Sequence, residues 1–147
     1  MVYLMYENLG WRPYVQSWIE KKFNPKSELD GVAAAAGTED ELLGKELRAH
    51  LYSLFDEKVD FFIDHIRKMK EPIGTCDLQL VASLCNLIEC FVSDDYGFKK
   101  GERPEFKKRY LDHAFAFAFI WSMCVTVHES NYDKVTKLAT FFEFIVF

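Results

Sequence analysis

Along most of this chain apolar side chains return every three or four residues, a spacing that restricts the fold to packed helices. Trp11, Val15, Trp18, Ile19 and Phe23 make the first such run, with Asn8 able to cap it and Pro13 harmless in its first turn. That helix is expected to end before Asn24-Pro25. Thr38 with Glu41 makes a capping box for a longer run through Leu43, Leu47, Leu51, Leu54, Phe55, Val59, Phe62, Ile63 and Ile66. Continued to Lys70 it would exceed the usual helix length, so a break is expected near Phe55-Asp56-Glu57. Pro72-Ile73-Gly74 is a turn, after which Thr75 or Asp77 can cap a helix carrying Leu78, Val81, Leu84, Cys85, Ile88, Phe91 and Val92.

From Glu105 the pattern resumes through Phe106, Tyr110 and Leu111 into Ala114-Phe115-Ala116-Phe117-Ala118-Phe119-Ile120-Trp121. The Phe/Ala alternation could be a strand, but the flanking i, i+4 spacing and the alanines favour a helix, buried on most sides. A last run, Asn131 to Phe147, keeps helical spacing at Tyr132, Val135, Leu138, Ala139, Phe142 and Ile145. Val2 to Tyr6 alone reads as a buried strand, and a single strand has nowhere to pair. The expected fold is therefore mainly α, a helical bundle with one short N-terminal strand whose sheet lies elsewhere. Surface loops are expected near residues 26–37 and 94–104.

Composition narrows the function classes. A chain of 147 residues suits one domain, and 14 Phe, 7 Tyr and 3 Trp are more rings than a lone small domain buries easily. Some of them are expected to face a partner. The 18 basic residues are scattered among 23 acidic ones for a net charge of −5, which argues against nucleic acid. Ala114 to Val127, the most apolar stretch, falls short of the about 20 residues a bilayer needs. Met1 to Tyr6 meets Glu7 before any leader-like run develops, so the chain reads as soluble, cytoplasmic and without a membrane partner. Cys76, Cys85, Cys90 and Cys124 show no CxxC spacing and read as free buried thiols in a reducing compartment.

No catalytic constellation emerges. The phosphate-loop motif GxxxxGK[ST] is absent, and Gly97-Phe98-Lys99-Lys100-Gly101 lacks both its spacing and a preceding strand. His50, His65, His113 and His128 form no HExxH or HxxxH pair. Asp64-His65 and Asp112-His113 are sequence neighbours, which point different ways on a helix, so a catalytic relay is not expected from either. GxSxG and SxxK are absent too, and no metal spacing is found. By itself the chain is expected not to be an enzyme.

Its wording carries a resemblance. Met1-Val2-Tyr3-Leu4 followed by Leu9-Gly10-Trp11-Arg12-Pro13-Tyr14-Val15-Gln16-Ser17-Trp18-Ile19 resembles dynein heavy chains, where the similar stretch closes the large domain of the second AAA+ module. Leu54-Phe55-Asp56-Glu57-Lys58, Leu80-Val81-Ala82-Ser83-Leu84-Cys85-Asn86-Leu87 and Phe117-Ala118-Phe119-Ile120-Trp121-Ser122-Met123-Cys124 follow in that family's order. The first words lean towards axonemal members. The resemblance runs from Met1 to about Val127 and fails after His128. Ala139 to Phe147 and the small-residue stretch Gly31 to Gly37 depart from the pattern.

The resemblance implies that residues 1–8 are the last strand of an absent α/β domain, that 9–130 are the helical lid subdomain, and that 131–147 are an atypical tail. It implies a motor fragment that couples nucleotide state to ring conformation in microtubule-based movement. Phosphate loop, metal carboxylate and arginine finger would lie outside this chain, so ATP or ADP with Mg belongs to the parent motor. Leu9, Gly10 and Trp11 would be the hinge beside the adenine, against which stands plain core packing of Trp11 and Trp18. Partners would be other AAA+ modules of the same heavy chain, with microtubules and dynein intermediate and light chains met only through the parent. The place would be the cytoskeleton, in the axoneme of a cilium or flagellum. The competing reading is a free-standing helical module that binds a peptide or helix in an apolar groove.

Overall fold

The computed structural model describes residues 10–23, 39–92, 103–131, 133–134 and 136–137. The expected strand, the Asn8 and Thr38 caps, Leu9, the loop at 26–37, most of the loop at 94–104 and the final apolar string lie outside the described residues. Where periodicity calls for helices, helices stand: α1 (Arg12–Phe23), α2 (Glu39–Leu54), α3 (Asp60–Arg67), α4 (Asp77–Phe91) and α5 (Pro104–Ser122). Two 3₁₀ turns, Cys124–Thr126 and Glu129–Asn131, follow. Among the described residues there is no strand, so the Phe/Ala alternation is helical.

The break expected near Phe55 takes a milder form. Phe55–Val59 is a π turn, and its flanking residues Leu54 and Asp60 keep right-handed helical backbone. The helix therefore runs on from α2 into α3 with one wide turn instead of stopping. Phe55 and Val59, four residues apart at its two ends, both point inward at 1% and 0% exposure.

The next junction corrects the sequence reading of its cap. Cys76 is the N-cap of α4, its backbone N–H donating to Gln79 Oε1 at 3.2 Å, while neither Thr75 nor Asp77 caps. Both serve Arg67 instead. Its Nη2 donates to Asp77 at 2.6 Å, its Nη1 to Glu71 at 2.6 Å and to Thr75 at 3.1 Å. The Thr75 hydroxyl closes the loop by donating to Glu71 at 2.9 Å. His128 N–H donates to Lys70 O at 2.9 Å, tying the segment after α5 to the same turn.

The core is one aromatic-rich cluster centred on α5. Phe115 meets Phe55 edge-on at 5.2 Å, and Phe119 lies 4.4 Å from Phe62. Such pairs contribute about 0.5–1.5 kcal/mol each beyond the area they bury. Leu80, Val81, Leu84, Cys85 and Ile88 of α4 close the other side. The Phe/Ala stretch is buried on most sides, with Ala114, Phe115, Ala116, Ala118 and Phe119 inside, but Phe117 and Trp121, and Phe106 earlier in α5, face solvent. Pro104, read as the end of a loop, is the first residue of that helix, where its missing N–H costs nothing. Two polar contacts join α2 to α5, His50 Nε2 to Asp112 Oδ1 at 2.5 Å and Lys108 Nζ to Glu46 at 3.0 Å.

This division of α5 is testable by equilibrium urea unfolding. Phe119→Ala should cost about 3–5 kcal/mol through the cavity it leaves, and Phe117→Ala under about 1 kcal/mol. Equal losses would contradict the orientation of the helix.

Candidate functional site

The hinge residues expected from the sequence fall at the start of α1. Leu9 lies outside the described residues. Gly10 is exposed with φ +63°, and among the described residues a Cβ added there would meet nothing within 4 Å. Trp11 is 6% exposed, its ring 6.2 Å from Phe55, and its indole N–H donates to Asp60 Oδ1 at 3.1 Å. The Arg12 guanidinium sits 4.9 Å above the same indole, pairs with Asp60 and reaches Asp56 at 3.6 Å. Asp56 belongs to the π turn and Asp60 begins the helix after it. The point where the chain turns into the bundle is thus clasped to the one wide turn in the fold.

Further along α1 the same device recurs. Trp18 is 8% exposed, and its N–H donates to Glu89 Oε2 of α4 at 3.3 Å. Lys22 binds the other carboxylate oxygen. Lys22, and after it the Trp18 N–H, hold the Glu89 carboxyl below the usual carboxylate range. Both tryptophans are core residues with polar tips, and a carboxylate meets each tip. Sequence reading missed Asp60 and Glu89. The signal was there in principle, since a buried indole N–H needs an acceptor, but nothing in one sequence says which acid supplies it.

Other candidates for chemistry disperse. Asp112 pairs with His50 of another helix and not with its neighbour His113, whose Nδ1 faces the Arg109 carbonyl. His65 Nδ1 lies 2.7 Å from the Phe61 carbonyl. Among the described residues no cluster of His, Cys, Asp and Glu could hold a metal. Cys85 and Cys124 are buried as expected, but Cys90 is exposed and Cys76 only half-buried. Burial pushes the Cys85 and Cys124 thiols up to about 12. Among the described residues no nucleophile, base and orienting partner come together. No helix among the described residues is long and apolar enough to cross a membrane.

Comparison with known proteins gives a consistent answer. A family model described as the dynein heavy chain AAA lid domain matches residues 51–143. Dynein axonemal heavy chain 2 of Homo sapiens is 27% identical over 135 residues, covering 92% of this chain and 3% of that one. Dynein axonemal heavy chain 9 of Homo sapiens is 30% identical over 124 residues, 83% of this chain and 2% of its own. The dynein beta chain of the flagellar outer arm of Chlamydomonas reinhardtii is 26% identical over 145 residues, 97% of this chain and 3% of its own. The chain thus spans about 3% of the length of such relatives. No solved structure matches it.

Two measurements probe these contacts. Trp11→Phe keeps the ring packing and loses the indole donor, and should cost about 1 kcal/mol by urea unfolding. A Trp11→Phe variant as stable as wild type would remove the Asp60 bond from the account. For the thiols, the unfolded chain titrates near 8.5 and the folded Cys85 and Cys124 near 12, so unfolding releases protons in that window. Stability is full below the unfolded value and should fall as pH rises from 8 to 10. At pH 8 a disulfide reagent should label Cys90 and Cys76 directly and reach Cys85 and Cys124 only through unfolding.

Proposed function

The chain belongs to the dynein heavy chain AAA lid family, and from that premise we propose that it works as the helical lid of one ATPase module in a microtubule motor, without catalysis of its own. The lid turns as a rigid body when the module's nucleotide state changes and passes that rotation to neighbouring modules of the ring. Leu9, Gly10 and Trp11 serve as the hinge beside the adenine. ATP or ADP with Mg is bound by residues outside this chain, which contributes no phosphate loop. Its direct partners are other AAA+ modules of the same heavy chain. Microtubules and the intermediate and light chains are reached only through the parent. The axoneme of a cilium or flagellum is the place its relatives' names suggest.

One observation carries this reading. The first residues after exposed Gly10 are clasped to the core, Trp11 through Asp60 and Arg12 through Asp56 and Asp60. Motion at the glycine then moves the helices together instead of fraying the first of them. A lid needs that rigidity, because a change at the nucleotide has to arrive undiminished at the far side.

The test is made in the full-length heavy chain that carries this segment. A double variant Arg12→Ala, Asp60→Asn should keep basal ATP hydrolysis within about twofold and slow microtubule gliding several-fold, since hydrolysis residues are untouched while the rotation is transmitted through a looser joint. Gliding at wild-type speed would overturn the proposal.

A further inference from the structure

Solvent-facing aromatic side chains are concentrated on one face of α5. Phe106, Phe117 and Trp121 are 50%, 48% and 58% exposed, and half-buried Tyr110 stands between them. They follow one another at i, i+4, i+11 and i+15, the spacing of a single row along a helix. Phe106 stacks towards Tyr110 at 6.4 Å, Phe117 lies 6.0 Å from Trp121, and Phe91 of α4 meets Phe117 edge-on at 5.2 Å. At 1.5 Å per residue the row is about 22 Å long, some four helical turns. Monomeric proteins rarely leave so continuous an apolar surface in water.

The surface is grooved, not flat. A cavity of about 690 Å³ lies against Phe106, Tyr110 and His113, with Arg103 and Arg109 on its walls. A second, about 450 Å³, shares Tyr110 and His113 and continues past Phe117 to Ile120. Both arginines are exposed, and among the described residues neither makes an ion pair, whereas Lys108 on the same helix is engaged by Glu46. Among the described residues Glu105 is the carboxylate on the wall of the first cavity, and Arg103 also borders a hollow with Glu46. Two arginines with no ion pair among the described residues, at one end of an apolar groove, suit an occupant with acidic groups there.

The occupant's conformation follows from the backbone. The peptide groups of α5 are spent inside the helix, so an extended segment cannot add itself by strand pairing. A helix can, by laying its own apolar ridge along the row. We propose that this face of α5 docks an amphipathic α-helix of a partner segment, its apolar seam against Phe106, Tyr110, Phe117 and Trp121 and its carboxylates against Arg103 and Arg109. A second copy of the chain is a poorer match, because its own row brings only Glu105 to meet two arginines. The inference stands on these residues and does not depend on the lid reading.

The probe is a pair of synthetic 14-residue helices with the same leucine seam, one flanked by Glu and the other by Lys, titrated against the 147-residue chain by fluorescence anisotropy. The Glu-flanked peptide should bind about tenfold tighter or more, although the chain as a whole carries −5, so the preference reports the local charges. Arg103→Glu with Arg109→Glu should reverse the preference, and Phe117→Ser with Trp121→Ser should weaken both peptides by about tenfold or more. All four positions are exposed, and circular dichroism checks that the variants stay helical. Equal binding of the two peptides, or a charge swap without effect, would overturn the proposal. So would sedimentation showing that the wild-type chain dimerises and that the Phe117→Ser, Trp121→Ser variant does not, since the face would then belong to a second copy.

Discussion

Phe55 is the ring on which the separate parts of this fold meet. Trp11, just ahead of α1, and Trp18 of α1 approach it at 6.2 and 6.3 Å, and Phe115 of α5 closes edge-on at 5.2 Å. It begins the wide turn, in which Phe55 and Val59 face inward while Asp56 and, just after it, Asp60 meet Arg12 on the flank where α1 arrives. The aromatic centre and the polar clasp thus share one local departure from regular helix. Such turns are rare in helices and tend to persist where something depends on them.

The polar contacts around this centre direct the packing more than they strengthen it. Exposed ion pairs such as Arg12 with Asp56 are worth little on their own. The indole donors are different, because a buried N–H left without an acceptor carries the full cost of its lost hydration. In the observed arrangement of α1 Asp60 and Glu89 stand at the tips of Trp11 and Trp18 and accept from both. Apolar area alone is indifferent to small rotations of that helix, whereas these directional bonds favour the rotation seen.

Much of the architecture was readable from periodicity, and the failures have physical causes. Strong apolar spacing placed α1, α4 and α5 correctly, and the length argument located the irregularity at Phe55 without identifying it. Spacing does not distinguish a broken helix from a widened one, because both relieve the same crowding. The Cys76 cap escaped notice because its bond is made by backbone to Gln79, and because Thr75 and Asp77, the better capping residues, are taken by Arg67. Which rings of α5 face outward was not read, because composition reports hydrophobicity and not its direction. Of the proposed hinge, the sequence offered Trp11 through a family resemblance; its partners Asp60 and Arg12 depend on tertiary contact, which one sequence does not encode legibly.

Gly10 carries a consequence for how sequence variation at this site is judged. Among the described residues no atom beyond its chain neighbours lies within 4 Å of the place where a Cβ would project, so inspection of contacts would pass any substitution there as harmless. Its φ of +63° says otherwise, because an L-residue other than glycine pays about 1–2 kcal/mol to hold that backbone. Every missense change of a glycine codon introduces that penalty. The strain would fall on the torsion of one residue ahead of α1 and leave the helices after it intact, so such a variant would fold normally and carry its defect only where the chain enters the bundle.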